Sequence, residues 1–163
     1  MLQSKVGCQR IYSDLCVDCE EIFAPVAKMN IVRINFSLTA YFGLELQQFD
    51  VKNAFLHGQV EKEVYMKIPP RFRPIEEGNK VYRLKKALYG LKQSPYAWFG
   101  RLTQVMISMW HQKSQGDHTL FIKHFPKSKL TLLLAYVDDM IVTGDEHEKQ
   151  ILKEKLIAHF GRI

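Results

Sequence analysis

Residues 130–143 read LTLLLAYVDDMIVT, two apolar runs joined by Asp138 and Asp139. The aliphatic and β-branched residues on either side predict two antiparallel strands, 130–137 and 140–143, that meet at the acids as a hairpin. Adjacent carboxylates repel each other, and burying them unpaired between core strands carries a large desolvation cost. Two arrangements relieve that cost. The acids can stay wet at a hairpin tip, or they can face a divalent cation such as Mg²⁺, which takes hard oxygen ligands and leaves positions open to substrate phosphates.

Working outward from the hairpin, Ser94 and Pro95 read as N-cap and first helical residue of the strongest helix. Trp98, Phe99, Leu102, Val105, Met106, Met109 and Trp110 recur in it at helical spacing. Residues 120–124 predict a strand. Asp145 and Glu148 form a capping-box pattern ahead of a helix that buries Ile151, Leu152, Leu156, Ile157 and Phe160. Toward the N-terminus, Ile31, Ile34, Leu38, Tyr41 and Phe42 mark one apolar face of a helix over 30–42, ended by Gly43. A strand at 44–49 leads into Asp50, and 53–57 reads as a short helix stopped by Gly58. Val64, Met66 and Ile68 alternate as a strand until Pro69 and Pro70, and 81–84 is a further strand before a turn at Tyr89 and Gly90. Interleaved elements with an antiparallel hairpin predict an α+β fold, an antiparallel sheet with helices on one face.

The 163 residues suit one domain with a real core, and no apolar run is long enough for a membrane-spanning helix. Three cysteines, Cys8, Cys16 and Cys19, give no disulfide framework and fit a reducing, intracellular setting. A lone CxxC without a fourth ligand reads as unpaired thiols. His111 and His118 read as solvent-facing in a polar loop.

The net charge of +6 is local. Residues 80–113 hold seven basic side chains (Lys80, Arg83, Lys85, Lys86, Lys92, Arg101, Lys113) and no acid, whereas both flanks are close to neutral. Such a segment is either a polyanion-facing surface or a solvated face whose acidic partners come from elsewhere in the fold. Asp50, between a strand and a short helix, is either an N-cap or a third carboxylate for a two-metal site.

Six stretches, taken together, resemble the reverse transcriptase domain of copia-type retrotransposons: 20–26 (EEIFAPV), 46–58 (LQQFDVKNAFLHG), 63–70 (EVYMKIPP), 81–99 (VYRLKKALYGLKQSPYAWF), 116–121 (GDHTLF) and 132–144 (LLLAYVDDMIVTG). They stand in family order across residues 20–160. The resemblance implies a polymerase palm with partial fingers, in which Asp50 and Asp138 ligate two Mg²⁺ ions, or Mn²⁺, and Asp139 completes the acidic cluster. The implied reaction is in-line transfer of a deoxynucleotide to a primer 3′-hydroxyl.

By the same resemblance Phe55 lies under the sugar of the incoming nucleotide and excludes a 2′-hydroxyl, with Val51, Tyr89 and Gly90 lining the nucleotide site. From the residues alone, Phe55 can also be a helix residue facing the core. Lys92, Ser94 and Pro95 belong to the template motif, Tyr136 to the primer end, and Arg83, Lys85 and Lys86 to the phosphate contacts. The implied partners are an RNA or DNA template with primer, deoxynucleoside triphosphates and the rest of a Pol polyprotein: thumb, RNase H and integrase. The implied location is a cytoplasmic particle or the nucleus.

Residues 1–19 depart from the family's basic approach to the fingers, and Arg71 and Tyr96 replace its usual Gly and Arg. The domain reading is a divergent segment 1–19, then a palm/fingers fragment 20–163 that stops before thumb and RNase H. Two other classes stay open: a non-catalytic nucleic-acid-binding remnant, and a transposon relic without selected function.

Overall fold

A computed structural model describes residues 26–60, 63–67, 81–126 and 130–163. The divergent segment 1–19 with its three cysteines, the strand end at Ile68 with Pro69 and Pro70, Arg71 and Lys80 lie outside the described residues.

The predicted hairpin forms with its turn one residue earlier than the sequence reading places it, so that Val137 leaves the first strand and Asp139 joins the second. Strand β6 (Leu130–Tyr136) turns into β7 (Asp139–Thr143), with Tyr136 opposite Asp139 and Leu133 opposite Val142. On the far side of β7 lies β1 (Leu46–Asp50), and on the far side of β6 lie β5 (Leu120–His124) and β4 (Gln112–Lys113). The five-stranded sheet runs β1-β7-β6-β5-β4 and is antiparallel throughout. A separate hairpin pairs β2 (Tyr65–Lys67) with β3 (Val81–Arg83), where Glu63 meets Arg83 at 2.9 Å and accepts a hydrogen bond from the Tyr65 hydroxyl at 2.8 Å.

Side chains alternate across a strand, so Phe49, Leu133, Ala135, Met140 and Val142 share one face of the sheet. Two helices cover it: α2 (Ser94–Ser108) through Trp98, Phe99, Leu102, Val105 and Met106, and α3 (Glu146–Phe160) through Leu152, Leu156 and Phe160. Each large side chain buried there contributes roughly 1.5–3 kcal/mol. The N-cap of α3 is Asp145, as its sequence predicts, whereas Ile157 is exposed. Lys149 is fully buried, because its ammonium pairs with Glu146 at 2.7 Å and donates to the Glu45 carbonyl at 3.2 Å, tying α3 to the approach of β1.

Helix α1 (Met29–Tyr41) corrects the sequence reading in its sidedness. Its buried residues are Asn35 and Thr39, while Ile34, Leu38, Tyr41 and Phe42 are exposed. The physical reason is a polar contact. Thr39 Oγ1 lies 3.3 Å from Thr143 Oγ1, which also bonds Asn35 Oδ1 at 3.3 Å. Thr143 projects on the side of β7 opposite Met140 and Val142, so α1 meets the other face of the sheet and the helices do not all lie on one face. At the start of α1, the Lys28 N–H donates to Asp117 Oδ2 at 2.9 Å, fixing the helix near the entry to β5.

His111 is a second correction. It is 5% exposed, folded back under the end of α2 by its N–H to the Met106 carbonyl at 3.1 Å. Burial, reinforced by the positive charge of Lys123, pushes its pKa down to about 4. Among the described residues no helix is long and apolar enough to cross a membrane.

Candidate active site

The β6–β7 turn consists of Val137 and Asp138, and Val137 adopts φ +58°. A β-branched residue in the left-handed region is strained and persists only where its surroundings fix it. Two backbone-directed bonds do so here. The buried indole of Trp98 donates Nε1–H to the Val137 carbonyl at 2.7 Å, and the Val51 N–H donates to the Asp138 carbonyl at 3.1 Å. Trp98 is held in turn against Phe160 at a ring separation of 4.9 Å, and His57 packs against both rings, 5.4 Å from Phe160 and 6.1 Å from Trp98.

The second bond brings β1 to the turn. Asp50, the last residue of β1, stands directly opposite Asp139 in register, and Asp138 lies next to that pair. Residues almost ninety positions apart in sequence therefore share one strand end. Asp50 is not a helix N-cap: the following 3-10 turn, Ala54–His57, starts from Asn53, itself left-handed at φ 57°. Gly58 ends that turn where an added Cβ would come within 2.8 Å of the backbone of Ala97 and Trp98, so only glycine lets it lie this close to α2.

The three carboxylates are not equivalent. Burial raises the pKa of the Tyr89 hydroxyl, and the negative charges of Asp138 and Asp50 raise it further, so both acids act on the same phenol. Asp139 instead accepts a hydrogen bond from Gln48 Nε2 at 3.0 Å. Among the described residues no three His, Cys, Asp or Glu side chains stand close enough to hold a metal ion. Two carboxylates still fit Mg²⁺, which is commonly held by one or two carboxylates together with substrate phosphates. The hard oxygens of Asp50, exposed at the end of β1, and of Asp138, half-buried at the adjoining turn, are the donors such an ion would take.

The comparisons with known proteins agree with this arrangement of motifs. Residues 5–162 match the family model described as reverse transcriptase (RNA-dependent DNA polymerase). The chain belongs to the reverse transcriptase family. Among the relatives of this reverse transcriptase domain is the retrovirus-related Pol polyprotein from transposon TNT 1-94 of Nicotiana tabacum, 42% identical over 130 residues, 80% of this chain and 10% of the relative. The Pol polyprotein from transposon RE1 of Arabidopsis thaliana is 38% identical over 130 residues, 80% of this chain and 9% of the relative. The transposon Ty1-NL2 Gag-Pol polyprotein of Saccharomyces cerevisiae is 32% identical over 97 residues, 60% of this chain and 5% of the relative. These relatives identify the domain as copia-type, and the chain spans about a tenth of the length of the plant polyproteins it matches. No solved structure matches the chain.

Other candidate residues of the reverse transcriptase domain fall into two groups. Phe55 is half-buried, with its ring 4.6 Å from that of exposed Tyr89, so it both touches the core and reaches toward the acids. Gly90 has φ 91°, a conformation that favours glycine, and Tyr136 is 45% exposed beside Asp139. Lys85, Lys86 and Lys92 are exposed, while Arg83 is paired with Glu63, the partner from elsewhere that a solvated face needs. Burial and the positive charges of Lys86 and Arg101 lower the pKa of His57, which marks those two cations as neighbours. Val51 and Ser94 are buried. Ser94 is the first helical residue of α2, not its N-cap, and donates its hydroxyl to the Leu88 carbonyl at 2.6 Å, closing the 88–94 loop.

Sequence reasoning missed two residues of this site, Trp98 and Gln48. Trp98 was legible only as core. Gln48 carried a weak signal, since two positions before Asp50 on a strand places it on the same face as the acid.

Proposed function

We propose that the chain is the palm, with part of the fingers, of a copia-type RNA-directed DNA polymerase that extends a primer with deoxynucleotides. The observation that carries this reading is the register of Asp50 opposite Asp139, with Asp138 braced at the turn beside them. In this reading Asp50 and Asp138 hold two Mg²⁺ ions, which supply activation of the primer 3′-hydroxyl and neutralisation of the triphosphate and its leaving pyrophosphate.

The chain's own part is positioning. Trp98 and Val51 fix the height of the turn, and the Phe55 and Tyr89 rings, tilted against each other at 4.6 Å, form a wall beside the acids where a nucleotide sugar would rest. Phe55 occupies the space a 2′-hydroxyl would need. Gly90 lets the template-side backbone approach closely, and Lys85, Lys86 and Lys92 meet phosphates without reading sequence. Tyr136 borders the primer end. Ser94 and Pro95 shape the template loop from within. The remaining polyprotein would supply thumb and RNase H surfaces.

The test is primer extension by the purified chain on an RNA template with Mg²⁺, beside its Asp138→Ala variant. Product from the wild type that falls at least about a hundredfold in the variant is the expected result. Equal product from both refutes the mechanism. Steeply salt-dependent binding of primer–template with no product identifies the non-catalytic remnant instead.

A further inference from the structure

We propose that His57, Lys86 and Arg101 form a phosphate-binding cluster that grips a nucleic-acid strand outside the acid site. The proposal rests on the nucleic-acid binding in the reading above and not on its metal chemistry. Three elements build the cluster around Trp98. The imidazole of His57, at the end of the 3-10 turn, lies 6.1 Å from the Trp98 ring and 5.4 Å from that of Phe160. Backbone pairing brings Lys86 alongside: Gln59 bridges to Lys86, and the Ala87 N–H donates to the Gly58 carbonyl at 3.1 Å. Arg101 stands three residues after Trp98 on α2, one turn further along the same side. Trp98 thus touches two surfaces, the carboxylate turn that its indole N–H holds and a basic cluster beside its ring.

Lys86 and Arg101 are exposed and His57 is half-buried, and among the described residues neither cation pairs with a carboxylate. Burial first, then the charge of Lys86 and more weakly that of Arg101, hold the His57 pKa below its ordinary value, against an opposing hydrogen bond to the Lys52 carbonyl. Two further basic residues stand close by. The His159 ring neighbours Phe160, and the Arg162 carbonyl accepts from the Lys52 N–H at 3.3 Å. Basic groups gathered in this way repel one another, and a bound anion relieves the repulsion. Lys86 also belongs to the template motif, so the cluster continues that basic track onto α2 and suits successive phosphates of one strand. A phosphate beside His57 offsets the two cations and favours the charged imidazole. The bound state then holds more protons than the free one, and binding strengthens as pH falls.

The experiment measures binding of a fluorescent single-stranded RNA oligonucleotide to the full chain by anisotropy, at fixed ionic strength, from about pH 8 to about pH 5.5. Circular dichroism verifies the fold of each variant. Across that range wild-type affinity is expected to rise about three- to tenfold more than that of His57→Gln, which keeps a donor for the Lys52 carbonyl and cannot ionise. His159→Gln is expected to keep the wild-type rise, which assigns the proton to His57. Arg101→Gln, at an exposed position, is expected to weaken binding at every pH and to lower the log–log salt slope by about 0.7. A rise as large in His57→Gln as in wild type, or a salt slope left intact by Arg101→Gln, overturns the cluster while the nucleic-acid reading stands. Inorganic tripolyphosphate is the second probe, and a His57-dependent response to it as large as to the RNA overturns the strand as occupant. A wild-type chain that binds no oligonucleotide at low salt overturns the nucleic-acid reading and the cluster with it.

Discussion

Replacing Trp98 with Phe removes one N–H and leaves most of the ring. The lost bond is the 2.7 Å contact to the Val137 carbonyl, and the carbonyl it leaves behind belongs to a residue held at φ +58°. Leaving that acceptor unsatisfied costs about 1–3 kcal/mol, and the smaller ring opens a void beside Phe160 that adds on the order of 1 kcal/mol. A total of roughly 2–4 kcal/mol lowers the midpoint of thermal unfolding by roughly 5–15 °C in a chain of this size.

Calorimetry gives the global loss, and native-state hydrogen exchange gives its location. The Val51 amide, bonded to the Asp138 carbonyl at 3.1 Å, reports directly on the turn. In Trp98→Phe it is expected to exchange faster relative to the core of α2. Phe99→Leu serves as comparison, because Phe99 is buried in the same helix against Phe121 and has no bond to the turn. Val51 protection that falls equally in both variants, or in neither, refutes the view that Trp98 specifically holds the acids in place.

Other outcomes follow from the same geometry. His111 has a folded-state pKa of about 4 against an ordinary 6.5, so the unfolded chain binds more protons between those values and stability is lost as pH falls from 6.5 toward 4. His111→Leu should flatten that interval by about 3 kcal/mol in pH-dependent denaturation; an unchanged slope would show that another group titrates there. Gly58→Ala forces a Cβ against the Ala97 and Trp98 backbone, and a loss of about 1–3 kcal/mol in urea unfolding is expected. A fully stable variant would mean that the 3-10 turn moves away from α2 freely. Lys86→Ala and Lys92→Ala should each reduce the log–log salt slope of primer–template binding by about 0.7–0.9, and a slope left intact removes that lysine from the phosphate-contacting set.

Much of the hairpin was legible because its signal is local. Apolar runs on both sides of Asp138 and Asp139 fix two strands and a turn near the acids without reference to the rest of the chain, although the turn itself falls on Val137 and Asp138. The pairing of β1 with β7 was not legible from periodicity, since nothing near Asp50 names a partner almost ninety residues away. The family motifs supplied that link. Helix α1 shows a different limit: spacing revealed a helix and its apolar side, but burial was decided by Thr143, which offered Asn35 and Thr39 hydrogen bonds on a face the sequence cannot assign. His111 sits among polar neighbours in sequence, yet a single backbone bond at the end of α2 turns it inward.

The restraints on the turn have an evolutionary consequence. Both bonds that fix it end on main-chain oxygens, those of Val137 and Asp138, which every amino acid possesses. The carboxylates proposed to be catalytic can therefore be lost by point mutation while the turn keeps its place. Copies of such an element that drift into inactivity would persist as folded proteins, whereas damage at Trp98 would erode fold and chemistry together.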